Sequence, residues 1–548
     1  MRIPAAATLG PFGRLGWREP KTGSRDPLGL RAAPAVEGRL RPIRGLTGES
    51  LLGLGQRNAE RLRQSKVSTR RLPIAVLATV ALTAPLVVAS GIHPTSTGEA
   101  ATQARPNVIV IETDDQTAES VRVMTNVNSV IGAQGTTFEN SFVNFSLCCP
   151  SRSTFLTGQY MHNHGVTSNS GPTGGSQRFL ELHGTNNLAV WLQDAGYYTG
   201  MVGKYLNGYE NDPLVPPGWS EWHATGAPNW LAVYNYAIND NGKFTGYGED
   251  PTDYKTDVLS RRAVGFVQRR APSTQPFFLW LTYVAPHIGG PYDDPNPPTD
   301  CWAAAKPAPR HADAFDTEPL PKTPNFNEAD VSDKPEAIRD RPLLSWGSIT
   351  NVQRKYRCAL ESLLAVDDGV KKVVQSLVAN GELNNTLLIY TSDNGFFYGE
   401  HRIPEGKQHI YEESIRVPLL MRGPGIPHGQ RVNDPAINAD LAPTILDAAS
   451  ATPGLVMDGR SLIPVAQNPG IERGRQLLIE QPNLKAIRTE RYMYAEHSTG
   501  ERELYDLAND PYELQSLHDD PAYATVKALL AELLHQLQDC AGTSCRVP

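Results

Sequence analysis

The chain has 548 residues, 40% hydrophobic and 20% charged, with a formal net charge of −7. That composition excludes a disordered protein, and the length suits one large α/β core with a smaller appendage. The acidic balance argues against nucleic acid as the main partner, since phosphate backbones select basic surfaces, but it allows a local cationic pocket.

Residues 1–71 form a leader rich in Arg, Ala, Gly and Pro with no sustained apolar period, expected to be disordered. It ends in Ser68-Thr69-Arg70-Arg71, and an apolar stretch and small residues follow over 72–91. Positive charge, apolar run and small residues, in that order, predict a signal peptide or a retained membrane anchor, although Pro73 and Pro85 suit a spanning helix poorly. The protein is therefore expected to be exported, either secreted or at the cell surface. A leader this long also points to a translation start nearer Val67. Residues 92–105 are a polar linker.

From residue 106 the pattern is α/β. Residues 107–113 are nearly all apolar and β-branched, as in a strand buried on both faces, and they run into Asp114-Asp115. Similar strands are predicted over 198–203, 277–283 and 386–391, followed by Lys204, by Pro286-His287 and by Asp393-Asn394-Gly395. Ligands of open α/β sheets bind beyond the strand carboxyl ends, so these endings predict a single site. Leu188, Trp191, Leu192 and Ala195 share a helical face stopped by Gly196. A long helical pattern covers 350–378 and ends at Asn380-Gly381; Asp367 and Asp368 within it read as a solvated or structural face. Past residue 465 the texture changes. Residues 476–480, 486–495 and 503–507 read as short antiparallel strands, and 525–537 repeats leucine at helical spacing. The expected domains are thus 106–465 and 466–548.

The six cysteines show no Cys-x-x-Cys or Cys/His zinc spacing. Cys540 and Cys545 either close a small disulfide loop outside the cytosol or remain free. In Cys148-Cys149-Pro150-Ser151-Arg152, Pro150 suits the first turn of a helix. Ser151 and Thr154 are compatible with the exposed amides of a helix start, which is an anion site, and Arg152 adds a charged fork for tetrahedral oxyanions. These residues alone leave two readings open: a sulfur nucleophile beside an anion cradle, or a vicinal cysteine pair used for packing or redox sensing.

Cys148-x-Pro150-Ser151-Arg152 resembles the signature of the formylglycine-dependent (type I) sulfatases, in which the first cysteine is oxidised to formylglycine (3-oxoalanine). The resemblance covers most of 106–465 and recurs in order at Asp114-Asp115, Gly203-Lys204, Pro286-His287, Asp393-Asn394, Gly406-Lys407, Asp458-Gly459-Arg460 and, later, Glu503-Leu504-Tyr505-Asp506. It implies an alkaline-phosphatase-like fold: a mixed sheet flanked by helices, with a smaller C-terminal antiparallel sheet. It also implies hydrolysis of a sulfate ester with release of inorganic sulfate, and maturation by a formylglycine-generating enzyme. A divalent metal, Ca2+ rather than Mg2+, would be held by Asp114, Asp115, Asp393, Asn394 and the modified Cys148; hard oxygens suit such ions. One hydroxyl of the hydrated aldehyde would attack sulfur, and deprotonation of the other would expel sulfate. Arg152, Lys204 and Lys407 would spread the developing charge, with Lys407 or His287 as proton donor to the leaving alcohol.

One departure stands out. Many members carry a histidine two residues after the first lysine, whereas here the run is Lys204-Tyr205-Leu206-Asn207. Asn207 is then the substitute in substrate binding, and His162, His164 and His401 are candidates for the missing base, each equally readable as an ordinary loop histidine. Cys149 is not expected to be catalytic. The Lys204–Asn207 variant with Cys148-Cys149 and His162-Asn163-His164 is most similar to the N-acetylglucosamine-6-sulfatase branch, implying a 6-O-sulfated amino sugar of a glycan. Trp222, Trp230, Tyr234 and Tyr236 either form a sugar-stacking wall or pack in the core. The rival readings are an arylsulfatase or phosphoester hydrolase on the same fold and, from another class, a non-catalytic surface glycan-binding protein.

Overall fold

In the computed structural model the chain divides into Met1–Thr95 and Ser96–Pro548, and residues 105–289, 301–471 and 473–546 are described. The expected leader, the apolar segment and nearly all of the linker lie outside the described residues. Among the described residues no helix is long and apolar enough to cross a membrane.

Among the described residues sixteen strands run in chain order. The first seven are β1 (Asn107–Asp114), β2 (Thr136–Phe138), β3 (Ser141–Phe142), β4 (Tyr198–Gly203), β5 (Glu221–Gly226), β6 (Ala237–Asp240) and β7 (Lys243–Gly246). Next come β8 (Phe277–Pro286), β9 (Thr386–Ser392), β10 (Leu419–Arg422), β11 (Gln430–Val432) and β12 (Ala436–Ile437). The last four are β13 (Leu477–Gln481), β14 (Leu484–Arg488), β15 (Tyr492–His497) and β16 (Arg502–Asp506). Ten of them form one sheet in the order β11-β2-β10-β9-β1-β8-β4-β5-β6-β7, and β13–β16 form a separate antiparallel sheet. The centre of the large sheet is parallel and its flanks are mixed. This is the expected alkaline-phosphatase-like architecture.

β1, β8 and β9 are buried along their whole length because helices cover both faces. Side chains alternate across a strand, so Val108 and Val110 join one apolar cluster, with Phe155, Leu156, Leu192 and Ile445. Ile109 and Ile111 join the other, with Phe266, Val366 and Val370. The second cluster draws on the Lys255–Arg270 helix and on the long Trp346–Ala379 helix. Each such side chain contributes about 1.5–3 kcal/mol on burial, which explains the unbroken β-branched run.

Asp367 is structural: it accepts the N–H groups of Asn126 (2.9 Å) and Val127 (2.8 Å). Asp368 pairs with Arg310 and His311. Cys540 and Cys545 form a disulfide, and so do Cys301 and Cys358. One expectation is corrected. Residues 486–495 are two strands, not one: the chain turns at Thr489, whose N–H donates to the Tyr492 carbonyl at 2.9 Å. The apolar pattern continues through the turn because both arms face one core, where Ile487 and Met493 are buried together.

Candidate active site

Strand register brings the endings together. Thr113 is level with Ser392 on β9, Asp114 with Pro286 on β8, and Gly203 on β4 with Thr282 on β8. The residues just past these points therefore emerge at one edge of the sheet. Gly203 has φ +120, and a Cβ there would lie 1.7 Å from the Thr282 carbonyl oxygen. Only glycine lets β4 end so close to β8 and deliver Lys204.

Cys148 opens a helix, Cys148–Thr157, that is buried at every residue and closed by Gly158 in the left-handed conformation. The Cys149 N–H donates to Asn169 Oδ1 (2.9 Å), Ser151 Oγ accepts from Asn438 (2.9 Å), and Thr154 bonds His164. The Ser151 and Thr154 hydroxyls are thus engaged by Asn438 and His164.

The charged groups meet around Cys148. Its thiol lies 3.5 Å from Asp114 Oδ1 and 3.1 Å from Lys407 Nζ. Lys407 also pairs with Asp115 and donates to Asn394 Oδ1 (3.3 Å). Lys204 pairs with Asp114. The Arg152 guanidinium, fully buried, donates to Asp393 Oδ2 (2.8 Å) and the Lys204 carbonyl (2.8 Å), and stands 3.4 Å from both Asp114 and Glu112. Asn394 donates to Asp115 Oδ1 (2.6 Å). His287 bonds the Ile288 carbonyl through Nδ1 (2.7 Å) and presents Nε2 to Asp115 at 3.7 Å.

Burial pushes the Cys148 thiol up to about 11, with the Asp114 charge adding to it. Burial also acts to raise Asp114, but Lys204, with His287, Arg152 and Lys407, outweighs it and holds that carboxyl low. Asp393 is raised by burial and by Asp114. Lys407 is held well above the usual lysine range: burial opposes its charge, and Asp115, Asp114 and Asp393 overcome that. Asp114, Asp115 and Asp393 each bring a carboxylate oxygen within 4.8 Å of the others. Three buried carboxylates beside the Asn394 amide oxygen are an all-oxygen donor set, which fits a hard divalent cation.

The sequence pointed to some histidines that do not join this cluster. His162 bonds Glu480 (3.0 Å) and the Cys540 carbonyl (2.8 Å), tying the Met161–His164 helix to the C-terminal segment. His164 is fully buried between Thr154 and the Val166 N–H, and burial lowers it to about 3. His401 lies between Glu328 (2.7 Å) and Asn325 (3.2 Å), stacked on Tyr411. Asn207 sits beside Cys149, its N–H 3.0 Å from the sulfur.

Glu112 was not singled out from the sequence, yet it is part of the cluster. Trp280 Nε1 donates to its Oε2 at 3.0 Å, and burial raises its carboxyl to about 7. The signal was available: an acid inside an otherwise apolar strand needs a buried partner.

Next to His401, burial and Glu413 push the Glu400 carboxyl from 4.5 to about 8. Its folded value lies above the unfolded one, so its contribution is full below the unfolded value and lost as pH rises through the folded one. Stability should fall by on the order of 1 kcal/mol per unit between about pH 5 and pH 8. Urea unfolding across that range should show the slope shrinking in Glu400→Gln; an equal slope in both proteins would remove Glu400 as its source.

A family model described as "Sulfatase" matches residues 106–451, and one described as "N-sulphoglucosamine sulphohydrolase, C-terminal" matches 399–540. The chain belongs to the sulfatase family. As a sulfatase it is a hydrolase of sulfate esters. It is 33% identical to the N-acetylglucosamine-6-sulfatase of Capra hircus over 82% of this chain and 86% of that one. It is 38% identical to a putative extracellular sulfatase Sulf-1 homolog of Caenorhabditis elegans over 65% of this chain, and spans 48% of that relative's length. Among solved structures, one in complex with its substrate D-glucosamine-2-N,6-O-disulfate matches with a TM-score of 0.66 at 26% identity, covering 79% of this chain and 97% of that one.

Proposed function

We propose that this sulfatase releases inorganic sulfate from a 6-O-sulfated N-acetylglucosamine-type sugar, using formylglycine made from Cys148 by a formylglycine-generating enzyme and one divalent metal, calcium before magnesium. The observation that carries the reading is the meeting of Cys148 with Asp114, Asp115, Asp393, Asn394, Arg152, Lys204 and Lys407 at the strand ends. Relatives bearing the N-acetylglucosamine-6-sulfatase name, and the D-glucosamine-2-N,6-O-disulfate in the neighbouring structure, support the sugar. Two disulfides and likeness to extracellular sulfatases support an exported protein.

Asp114, Asp115, Asp393, Asn394 and the modified residue 148 would hold the ion, whose role when bound is to polarise a sulfate oxygen and acidify the nucleophile. Formylglycine supplies a hydroxyl for attack and a second hydroxyl whose deprotonation releases sulfate. An unconverted thiol serves poorly: burial keeps it protonated, and its sulfate adduct would lack that route of release.

Arg152 and Lys204, held in place by Asp393 and Asp114, would supply fixed positive charge to the sulfuryl oxygens with little reorganisation. Lys407 holds its proton firmly and lies within reach of residue 148; it protonates the leaving oxygen. With His162, His164 and His401 engaged elsewhere, we assign the base for sulfate release to His287 Nε2.

The test is sulfate release from N-acetylglucosamine-6-sulfate by converted enzyme, with loss on chelation and recovery on adding Ca2+ more than Mg2+. Turnover of aryl sulfates alone would refute the sugar. Faster turnover of the matching phosphate ester would promote a phosphohydrolase.

A further inference from the structure

The aromatic residues between 222 and 236 separate in the structure. Trp222 is fully buried and donates Nε1–H to the Tyr209 hydroxyl at 2.7 Å. Tyr236 is buried, bonds the Asp253 carbonyl (2.9 Å) and stacks on Tyr247. Tyr234 is buried against Tyr254. These three are core.

Trp230 is different. It is half-buried, on the connection between β5 and β6, and its ring lies 5.3 Å from Lys204 Nζ. The connection is pinned: the Trp230 carbonyl accepts from the buried Lys255 ammonium (2.7 Å), and the Lys255 N–H donates to the Val233 carbonyl (2.9 Å). Among the described residues the Trp230 indole N–H has no hydrogen-bond acceptor. A buried tryptophan usually finds a partner for that group; this one is partly open to solvent, so its donor is available to water or to a ligand. Here a rigidly mounted indole, partly open to solvent and with a spare donor, stands one side chain away from the cation that faces the sulfuryl position.

We propose that Trp230 forms a sugar subsite, stacking against the apolar face of the pyranose ring that carries the sulfate. A pyranose presents C–H groups on one face and hydroxyls at its edge, which match an indole face and its N–H. The inference rests on the sugar substrate proposed above. The competing role is a shield for Lys204, in which the cation–π contact stabilises the ammonium and substrate never touches the ring.

The two roles differ in which substrates suffer. For wild type, Trp230→Ala and Trp230→Phe, kcat and KM would be measured on N-acetylglucosamine-6-sulfate and on propyl sulfate, which has no ring to stack. The preference for the sugar ester, as a ratio of kcat/KM values, should fall about tenfold in Trp230→Ala. Most of the change should lie in KM, with Trp230→Phe in between. Losses that are equal on both esters, leaving the ratio unchanged, overturn the subsite in favour of the shield; so does no loss on either. A wild type that releases no sulfate from the sugar ester overturns the substrate reading and the subsite together. A wild type that does, with an unchanged ratio in both variants, overturns the subsite alone.

Discussion

Cys148→Ala should abolish sulfate-ester hydrolysis, lowering kcat/KM on the order of 10⁴-fold or more, as loss of a nucleophile does elsewhere, while the protein stays folded. The side chain is small and 1% exposed, at the first turn of a helix held by Asn169 and Asn438, and its neighbours Asp114 and Lys407 keep their pairs with Lys204 and Asp115 when it is removed. Melting temperature should therefore move by a few degrees at most, and the Asp114, Lys204 and Arg152 pairs should persist. The companion measurement is mass spectrometry of the Cys148 peptide from protein made in its native host. Oxygen in place of sulfur is expected. An unmodified thiol in active, exported protein would remove the formylglycine mechanism, and a buried thiol held at about 11 would be a poor substitute for it.

Arg152→Ala should cost both stability and activity. The guanidinium is fully buried against Glu112, Asp114 and Asp393, and lies 6.0 Å from the Trp280 ring. Removing one partner of a buried charge network leaves the others uncompensated, at about 3–5 kcal/mol, measurable by urea unfolding. Arg152→Lys should recover part of this, because an ammonium restores charge but cannot serve the Asp393 carboxylate and the Lys204 carbonyl as the fork does. Adding Glu112→Gln to Arg152→Ala should return some stability, since Glu112 Oε1 has no hydrogen-bond partner and the guanidinium as its nearby cation. Wild-type stability in Arg152→Ala would show that this arginine is not what compensates the carboxylates.

The strands at the sheet centre were legible because both their faces are buried. A run with no alternation, such as 107–113, has few other uses in a folded chain, and β1, β4, β8 and β9 were found where it predicted them. The short strands were not: β2, β3, β6, β7, β10, β11 and β12 have two to four residues each, too few for a period to declare itself. The hairpin at Thr489 was lost for a related reason, since two arms facing one core keep one apolar rhythm across the turn.

At the site, sequence order alone established which residues end the strands: Asp114 and Asp115, Lys204, His287, Asp393 and Asn394 each follow an apolar run. That they meet depends on strand register and on Gly203 allowing β4 to close against β8. The family resemblance is likewise legible before folding, because it is carried by linear motifs. Packing alone reveals that His287 is the histidine near Cys148, that Glu112 belongs to the charge cluster, and that Trp230 parts company with Trp222, Tyr234 and Tyr236. In each case the residue's role is set by partners far away in the chain, such as Glu480 for His162, Glu328 for His401, Trp280 for Glu112 and Lys204 for Trp230. A side chain's chemistry is local, whereas its burial and its partners come from packing, and packing is what determines whether a polar group is held, spent or left free to meet a ligand.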